Sequence, residues 1–167
     1  MKILNTLLIA LLCFTIYILF SGSISTYDIV TGAGVGVITG YLFSNITIKN
    51  PRKTLNPKRW IFTVFYAIRY LIVDETRAHI DVIKRILHPR TPVNPAIVKV
   101  PFEVSTEYAI TGIANSITNT PGTVVVDVNL EEKVFYVHWI DAKSIEPHKA
   151  RQMISSVFEK YAKIIFE

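Results

Sequence analysis

The sequence predicts a membrane α-helical hairpin and an amphipathic helix, followed by a small α+β domain of order β-α-β-β-α. Half of the 167 residues are hydrophobic, and they concentrate in the first 48 positions. In that stretch Lys2 is the one basic residue and Asp28 the one acidic residue. A short basic stretch with prolines follows it, and residues 96–167 have the composition of an ordinary globular domain. These three observations set the fold class.

Residues 1–48 predict a two-helix transmembrane hairpin. The runs Ile3–Phe20 and Ile29–Ile48 contain no charged residue, and each is long enough to cross a bilayer at ~1.5 Å per residue. Lys2 ahead of an apolar run also fits a signal peptide. The first run is longer than the usual apolar part of a signal peptide and a second run follows at once, which favours a retained helix.

Three glycines lie four residues apart in the second run. Gly32, Gly36 and Gly40 would share one helix face, where small residues let another helix approach closely in lipid. We therefore predict a helix-packing surface. Its partner is either the first helix or a different subunit.

Residues 49–59 form a basic connector with five lysines and arginines. The turn at residues 21–28 has none, so the positive-inside rule predicts a cytoplasmic connector, a cytoplasmic N-terminus and a cytoplasmic C-terminal domain. The net charge of +5 resides mainly beside the membrane segments. This placement favours anionic lipid head groups as partners over nucleic acid.

Residues 60–87 predict an amphipathic interfacial helix, with Trp60 as an anchor. Its apolar start is only 14 residues long and includes Arg69, which is short for a span. A third membrane segment at residues 60–75 remains the alternative. The predicted apolar stripe consists of Ile61, Phe65, Ile68, Ile72, His79, Val82 or Ile83, and Ile86.

A proline-rich linker, residues 88–95, precedes the predicted cytoplasmic α+β domain of residues 96–167. Three prolines within the linker prevent a helix from continuing. Alternation and cap signals then predict five elements. They are a strand at Ile97–Val104, a helix at Glu107–Thr118, strands at Thr123–Val128 and Val134–Ile140, and a helix at Pro147–Phe166.

The centre of this domain is a stretch that we call the motif segment, Ala109–Val128, AITGIANSITNTPGTVVVDV. Pro121 restricts its own φ and pushes Thr120 out of the helical region, so the helix must end near Asn119. Gly122 permits a tight reversal into a β-branched strand. Polar side chains crowd the end of the helix: Asn115, Ser116, Thr118, Asn119 and Thr120.

The motif segment resembles the signature of the E-type subunit of the Mrp (or Mnh) multisubunit sodium/proton antiporters. The resemblance rests on ANSITNTPGTVVVDV, on FYVHWID at Phe135–Asp141, and on NPAIVKVP at Asn94–Pro101. It implies an accessory, non-catalytic cell-membrane subunit without a cofactor, whose partners are other membrane subunits. The same module occurs in archaeal membrane-bound hydrogenases and related respiratory complexes. Motif residues with an implied structural role are Asn115, Ser116, Thr118, Thr120, Pro121, Gly122, Thr123, Asp127, His138 and Asp141.

Reactive residues do not form a recognisable catalytic, cofactor-binding or metal-binding pattern. Both predicted spans lack the ionisable residues that mark an ion path, and Cys13 is a lone cysteine. Asp127, His138 and Asp141 resemble an acid–base set but have no accompanying nucleophile, so we predict structural polarity. The alternatives are a membrane-tethered enzyme or a lipid-binding module that uses the C-terminal domain.

Overall fold

A computed structural model describes residues 2–167 and divides between Asn56 and Pro57 into two compact units. The first unit contains helices α1 (Lys2–Ser21) and α2 (Thr26–Thr47), then the one-turn helix α3 (Pro51–Thr54). Residues Ile3–Ser21 and Thr26–Thr47 are both long and apolar enough to cross a membrane. Two apolar N-terminal helices therefore stand where the sequence predicted a hairpin.

The second unit begins with one long helix made of three parts. Helix α4 (Pro57–Arg69) continues through a π-helical turn (Tyr70–Glu75) into α5 (Thr76–Leu87). The helix starts three residues before Trp60 because a proline is favoured in the first helical turn, where its missing N–H costs nothing. The sequence pattern did not predict the π turn.

A three-stranded antiparallel sheet forms the middle of the second unit. Strands β1 (Ala96–Pro101), β2 (Thr123–Asn129) and β3 (Val134–Trp139) lie in the order β1-β3-β2. Pro101 is the last residue of β1, so the strand is shorter than predicted. The register of β2 shifts between Val125 and Asp127, which is the position of a β-bulge.

Three helices accompany the sheet: α6 (Glu107–Asn119), α7 (Pro147–Ile154) and α8 (Ser156–Phe166). Thr106 caps α6, since its side chain accepts a hydrogen bond from the amide of Ala109. The prediction of a single helix over Pro147–Phe166 is wrong, because the chain bends at Ser155. The observed order is therefore β-α-β-β-α-α.

The core of the second unit lies against one face of the sheet. Alternation along the strands directs one set of side chains inward, where the helices cover them. Residues on the opposite face, such as Ile97 and Val124, are exposed. The buried core consists of Val98, Val100, Phe102, Val104, Ala109, Ile113, Ile117, Phe135, Val137, Ala142, Ala150, Phe158 and Ala162.

Candidate functional site

The three glycines of α2 form a buried surface that faces α1. A β-carbon added at Gly36 would lie 2.6 Å from the carbonyl oxygen of Ala10, and one at Gly40 would lie 2.5 Å from that of Thr6. At Gly32 the added atom would meet the ring of Tyr17 at 2.7 Å. The sequence left the partner of this face open. In the structure its neighbour is the first helix of the same chain.

Polar side chains join the two helices at both ends of this surface. Where the start of α1 meets the end of α2, Asn5 donates a 2.8 Å hydrogen bond to the carbonyl oxygen of Ile48, and the Thr6 and Ser44 hydroxyls are 3.1 Å apart. Near the loop, the Tyr17 hydroxyl lies 3.0 Å from that of Thr31. Inter-helical hydrogen bonds of this kind help to fix the register of helices in lipid.

The motif segment satisfies most of its polar groups within itself. The Ser116 hydroxyl donates to the carbonyl oxygen of Gly112 at 2.8 Å, and that of Thr120 donates to Ser116 at 2.7 Å. The Thr123 hydroxyl donates to Ile117 at 2.7 Å, while Thr118 accepts from the amide of Val125. Two of these bonds, to the carbonyl groups of Ser116 and Ile117, reach the last turn of α6, where carbonyl groups lack a full set of helical partners. The segment therefore works as a helix-to-strand corner.

Gly122 is the residue on which this corner depends. Its φ is +96°, a conformation that L-residues rarely adopt. A β-carbon at this position would also lie 3.1 Å from Cγ2 of Ile140 and 3.8 Å from Cγ2 of Val82. The Gly122 carbonyl accepts a hydrogen bond from the Ile140 amide at 2.9 Å. The turn at Gly122 therefore packs between the residue that follows β3 and helix α5.

Two tyrosines of the long helix contact the motif segment. The Tyr66 hydroxyl is hydrogen-bonded to the Ser116 hydroxyl. Because Ser116 already donates its proton to Gly112, Tyr66 must be the donor of this bond. Tyr70 donates to the carbonyl oxygen of Ser116 and accepts from the amide of Asn119. Burial raises the pKa of Tyr66 to about 12, which keeps the donor protonated.

An open groove of about 640 Å³ runs beside these tyrosines. Its mixed lining contains neither a carboxylate nor a histidine, so it lacks groups for acid–base chemistry. The lining residues are Thr63, Tyr66, Ala67, Tyr70, Leu71, Asn115, Ser116, Thr118 and Asn119.

Asp127 and His138 lie on the exposed face of the sheet without forming a reactive pair. Asp127 is opposite Tyr136, whereas His138 is opposite Ile97 and Val124. The Asp127 carboxylate accepts a hydrogen bond from the amide of the next residue at 2.8 Å. Neither side chain approaches a nucleophile in the described hydrogen bonds, so the structure brings together no acid–base set here.

Asp141 has a different environment, because it anchors α5 to the end of β3. Its carboxylate lies 2.8 Å from Arg85 and is also paired with Lys143. Only 12% of the Asp141 side chain and 15% of the Arg85 side chain are exposed. The hydrogen bond from Lys143 and the Arg85 charge lower the pKa of Asp141. Sequence reasoning missed Arg85, which the helical pattern placed on the solvent side.

Another group that the sequence did not reveal is Glu159, which is 2% exposed. Its carboxylate accepts two hydrogen bonds from Arg151, at 3.0 and 3.1 Å, and one from the Glu103 amide at 2.9 Å. In a straight helix, Arg151 and Glu159 would be about 12 Å apart along the axis. The bend at Ser155 reduces that separation. Paired in this way, the buried carboxylate is a structural group.

Metal-binding chemistry is not apparent in the part of the chain that the structure describes. Within residues 2–167 we find no group of three or more His, Cys, Asp or Glu side chains placed to hold an ion. Cys13 is a free, partly buried thiol in α1. The clusters that the fold does assemble are hydrogen-bonded corners and ion pairs that hold helices in place.

Two apolar helices of membrane-crossing length, followed by a small α+β domain, are typical of a membrane protein. The family model described as Na+/H+ ion antiporter subunit (MNHE) matches residues 10–165. The chain belongs to this family. The location in a membrane follows from both observations.

Individual relatives agree with this assignment. The chain is 31% identical to the E1 subunit of the Na(+)/H(+) antiporter of Staphylococcus haemolyticus, over 91% of both sequences. It is 28% identical to the E-type subunit of the Na(+)/H(+) antiporter of Alkalihalophilus pseudofirmus, over 96% of both. Among solved structures, it resembles a chain of the membrane-bound sulfane sulfur reductase, an archaeal respiratory membrane complex. That match has a TM-score of 0.85, 30% identity, and coverage of 97% of this chain and 99% of the other.

Proposed function

We propose that the chain is an accessory, non-catalytic membrane subunit of a multisubunit sodium/proton antiporter, or of a respiratory membrane complex that contains such a module. The observation that carries the proposal is the family match over residues 10–165, which includes the second half of α1, all of α2 and nearly all of the α+β domain. The antiporter setting is supported by the relatives, which are named as Na(+)/H(+) antiporter subunits. The similarity to a chain of an archaeal respiratory complex supports the second setting.

The contribution of this subunit is structural. The motif residues from Ser116 to Thr123 use their hydroxyl groups on neighbouring backbone and tyrosine partners. The glycine face is used to pack α2 on α1. Since ion translocation needs ionisable groups inside the membrane, the apolar interiors of both helices support a role in assembly. Other membrane subunits of the complex would carry the ions.

We place both the N-terminus and the α+β domain in the cytoplasm. The charge pattern supports this orientation, because five basic residues lie at positions 49–59 and none at 21–28. The test is cysteine labelling in a Cys13→Ala background. Ser23→Cys should react with an impermeant thiol reagent added outside cells, and Glu131→Cys should react only after permeabilisation. The opposite pattern would invert the orientation.

The lipid partners that we propose are anionic head groups beside the basic connector, and we propose no nucleic-acid partner. Residues 49–95 contain ten basic and three acidic residues, whereas residues 96–167 contain seven basic and nine acidic residues. A nucleic-acid-binding domain would show the reverse distribution, with its positive charge on the folded domain.

The function is tested by removing the chain from its complex. An affinity tag on the C-terminus should recover other membrane subunits from detergent extracts. Deletion of the chain should lower both the amount of assembled complex and sodium-dependent proton transport in membrane vesicles, and re-expression should restore both. Full assembly and full transport without the chain would contradict an accessory role.

A further inference from the structure

The long helix α4–π turn–α5 carries apolar residues that the rest of its own unit leaves uncovered. Phe65 and Ile72 are 60% and 65% exposed, although Tyr66 and Tyr70 beside them pack against the domain. We call the uncovered side the outer helix face. A contiguous apolar surface of this length marks a binding surface. Its residues are Ile61, Val64, Phe65, Ile68, Leu71, Ile72, Ile80, Ile83 and Leu87.

The π turn keeps this face on one side of the helix. Each residue of an α-helix advances by about 100°, and a π turn inserts about one extra residue. The part after the turn is therefore rotated by about 100° relative to an unbroken helix. As a result Ile80, and not His79, continues the line of Ile72, while Val82 and Arg85 point to the domain. For this reason His79 and Val82 lie off the predicted stripe, whereas Ile83, the alternative to Val82 in that prediction, lies on the outer helix face.

Of the three acidic side chains of the long helix, two are mostly buried, and the third, the exposed Asp81, is neutralised by Arg85 at 2.8 Å. Asp74 and Glu75 lie within the π turn, and their side chains are only 16% and 14% exposed. Two further basic residues, Arg77 and Lys84, are exposed along the flank of the face. Long basic side chains can lay their stems on an apolar surface and extend their charges to anionic groups. The charge pattern matches an anionic lipid surface.

The position of the helix in the chain points to the same partner. Only nine residues, 48–56, separate the end of α2 from the start of α4. Even when fully extended they span no more than ~35 Å. The covalent connection therefore limits the distance between the start of this helix and the end of α2, a helix of membrane-crossing length.

We infer that the outer helix face lies in the surface of an anionic bilayer while the opposite face holds the motif segment. This inference rests on the membrane location of the proposed function and names the lipid partner of the helix. A transmembrane orientation is disfavoured, since Tyr66, Tyr70 and Val82 contact the domain along the length of the helix. Spanning would pull that domain into lipid. Interfacial helices bury their apolar face by about 5–10 Å.

The depth of the outer helix face is measured by tryptophan quenching in the full-length chain. The two native tryptophans are removed by Trp60→Phe and Trp139→Phe, and single tryptophans are introduced by Phe65→Trp, Ile72→Trp or Ile83→Trp. The chain is reconstituted in phosphatidylcholine–phosphatidylglycerol vesicles whose lipids carry bromine either near the head group or near the chain ends. All three positions should be quenched more strongly by the shallow bromine, with similar ratios.

The matched control is Val124→Trp, an exposed apolar position on the sheet, which should keep its fluorescence with both lipids. A steady increase of deep quenching from Phe65 to Ile83 would show a third span and overturn the inference. Loss of quenching at all three positions would do the same.

A second measurement examines the assembled complex, so that a poorly folded tryptophan variant does not decide the outcome. A photo-crosslinking phenylalanine analogue replaces Phe65 or Ile72 in the native membrane. Adducts should form with lipid and leave the subunit at its own size on blots. A protein adduct in high yield would show that another subunit covers the face, which contradicts the inference. Co-purification of the complex, which tests the proposed function, is scored separately on the same samples.

Discussion

Gly36→Ala should loosen the α1–α2 hairpin, whereas Gly34→Ala should not. The two glycines lie two residues apart in α2, but Gly34 has no neighbouring atom within 4 Å of an added β-carbon. At Gly36 the added atom lies 2.6 Å from the Ala10 carbonyl oxygen, and even a weak C–H···O contact needs about 3.3–3.6 Å. The helices must then separate by roughly 0.7 Å or more.

A gap of this size removes about a quarter to a half of the dispersion energy at the contact. Overpacking of a well-fitted site costs about 1–3 kcal/mol. Replacing glycine by alanine also stabilises the helix itself by up to about 1 kcal/mol, because alanine has the higher helix propensity. That gain is present whether or not α2 packs on α1, so Gly36→Ala should lose about 1–3 kcal/mol of helix–helix interaction, while Gly34→Ala should be neutral or slightly stabilising. Gly36→Leu should lose more, because a longer side chain cannot be accommodated against backbone.

Disulfide formation across the hairpin measures this loss. Thr6→Cys and Ser44→Cys, in a Cys13→Ala background, replace two hydroxyls that are 3.1 Å apart, a spacing that suits a disulfide after small adjustments. Oxidation in native membranes should be fast in the parent and in the Gly34→Ala variant, and several-fold slower with Gly36→Ala. Equal rates in all three would refute the argument that backbone contact at Gly36 fixes the helix distance.

Three further predictions concern the α+β domain. Gly122→Val should lower stability by about 1–3 kcal/mol and reduce the assembled complex on blots, because a β-branched residue cannot readily adopt φ +96°. Asp127→Asn and His138→Gln should change stability by no more than ~0.5 kcal/mol and leave transport per assembled complex normal. Asp141→Asn should instead lower the thermal unfolding midpoint in detergent, because it weakens the mostly buried ion pair with Arg85. Hydrogen bonds from two basic side chains lower the pKa of Glu103 to about 2, below its unfolded value of about 4.3. Its stabilisation should therefore be complete above that unfolded value and disappear as the pH falls towards 2, and Glu103→Gln should flatten this part of the pH–stability curve.

Local signals in the sequence were sufficient for the hairpin and for the corner of the motif segment. The four-residue spacing of Gly32, Gly36 and Gly40 specifies a helix face by geometry alone. Likewise, Pro121 and Gly122 restrict the backbone so strongly that the helix end and the reversal follow from two residues. Both features depend on interactions within a few positions of the chain, which a single sequence records directly.

The pairs that hold the long helix could not be predicted in the same way. Arg85 and Asp141 are far apart in the chain, and they meet only because α5 is rotated by the π turn. The turn itself has no glycine or proline to mark it. The buried carboxylate of Glu159 is equally hidden, since its partner Arg151 belongs to a separate helix created by the bend at Ser155.

The motif segment and the long helix thus form one structural feature. Tyr70 is bonded to the end of α6, Gly122 is in contact with the end of β3 and faces Val82, and Arg85 pairs with the residue after Ile140. The corner is therefore bound on two sides by the helix whose other face we place on the bilayer. A substitution that distorts the helix-to-strand corner should therefore detach the long helix from the α+β domain. Gly122→Val should accordingly increase the protease sensitivity of residues 57–95 in the full-length chain, even in preparations whose α1–α2 disulfide still forms at the parental rate.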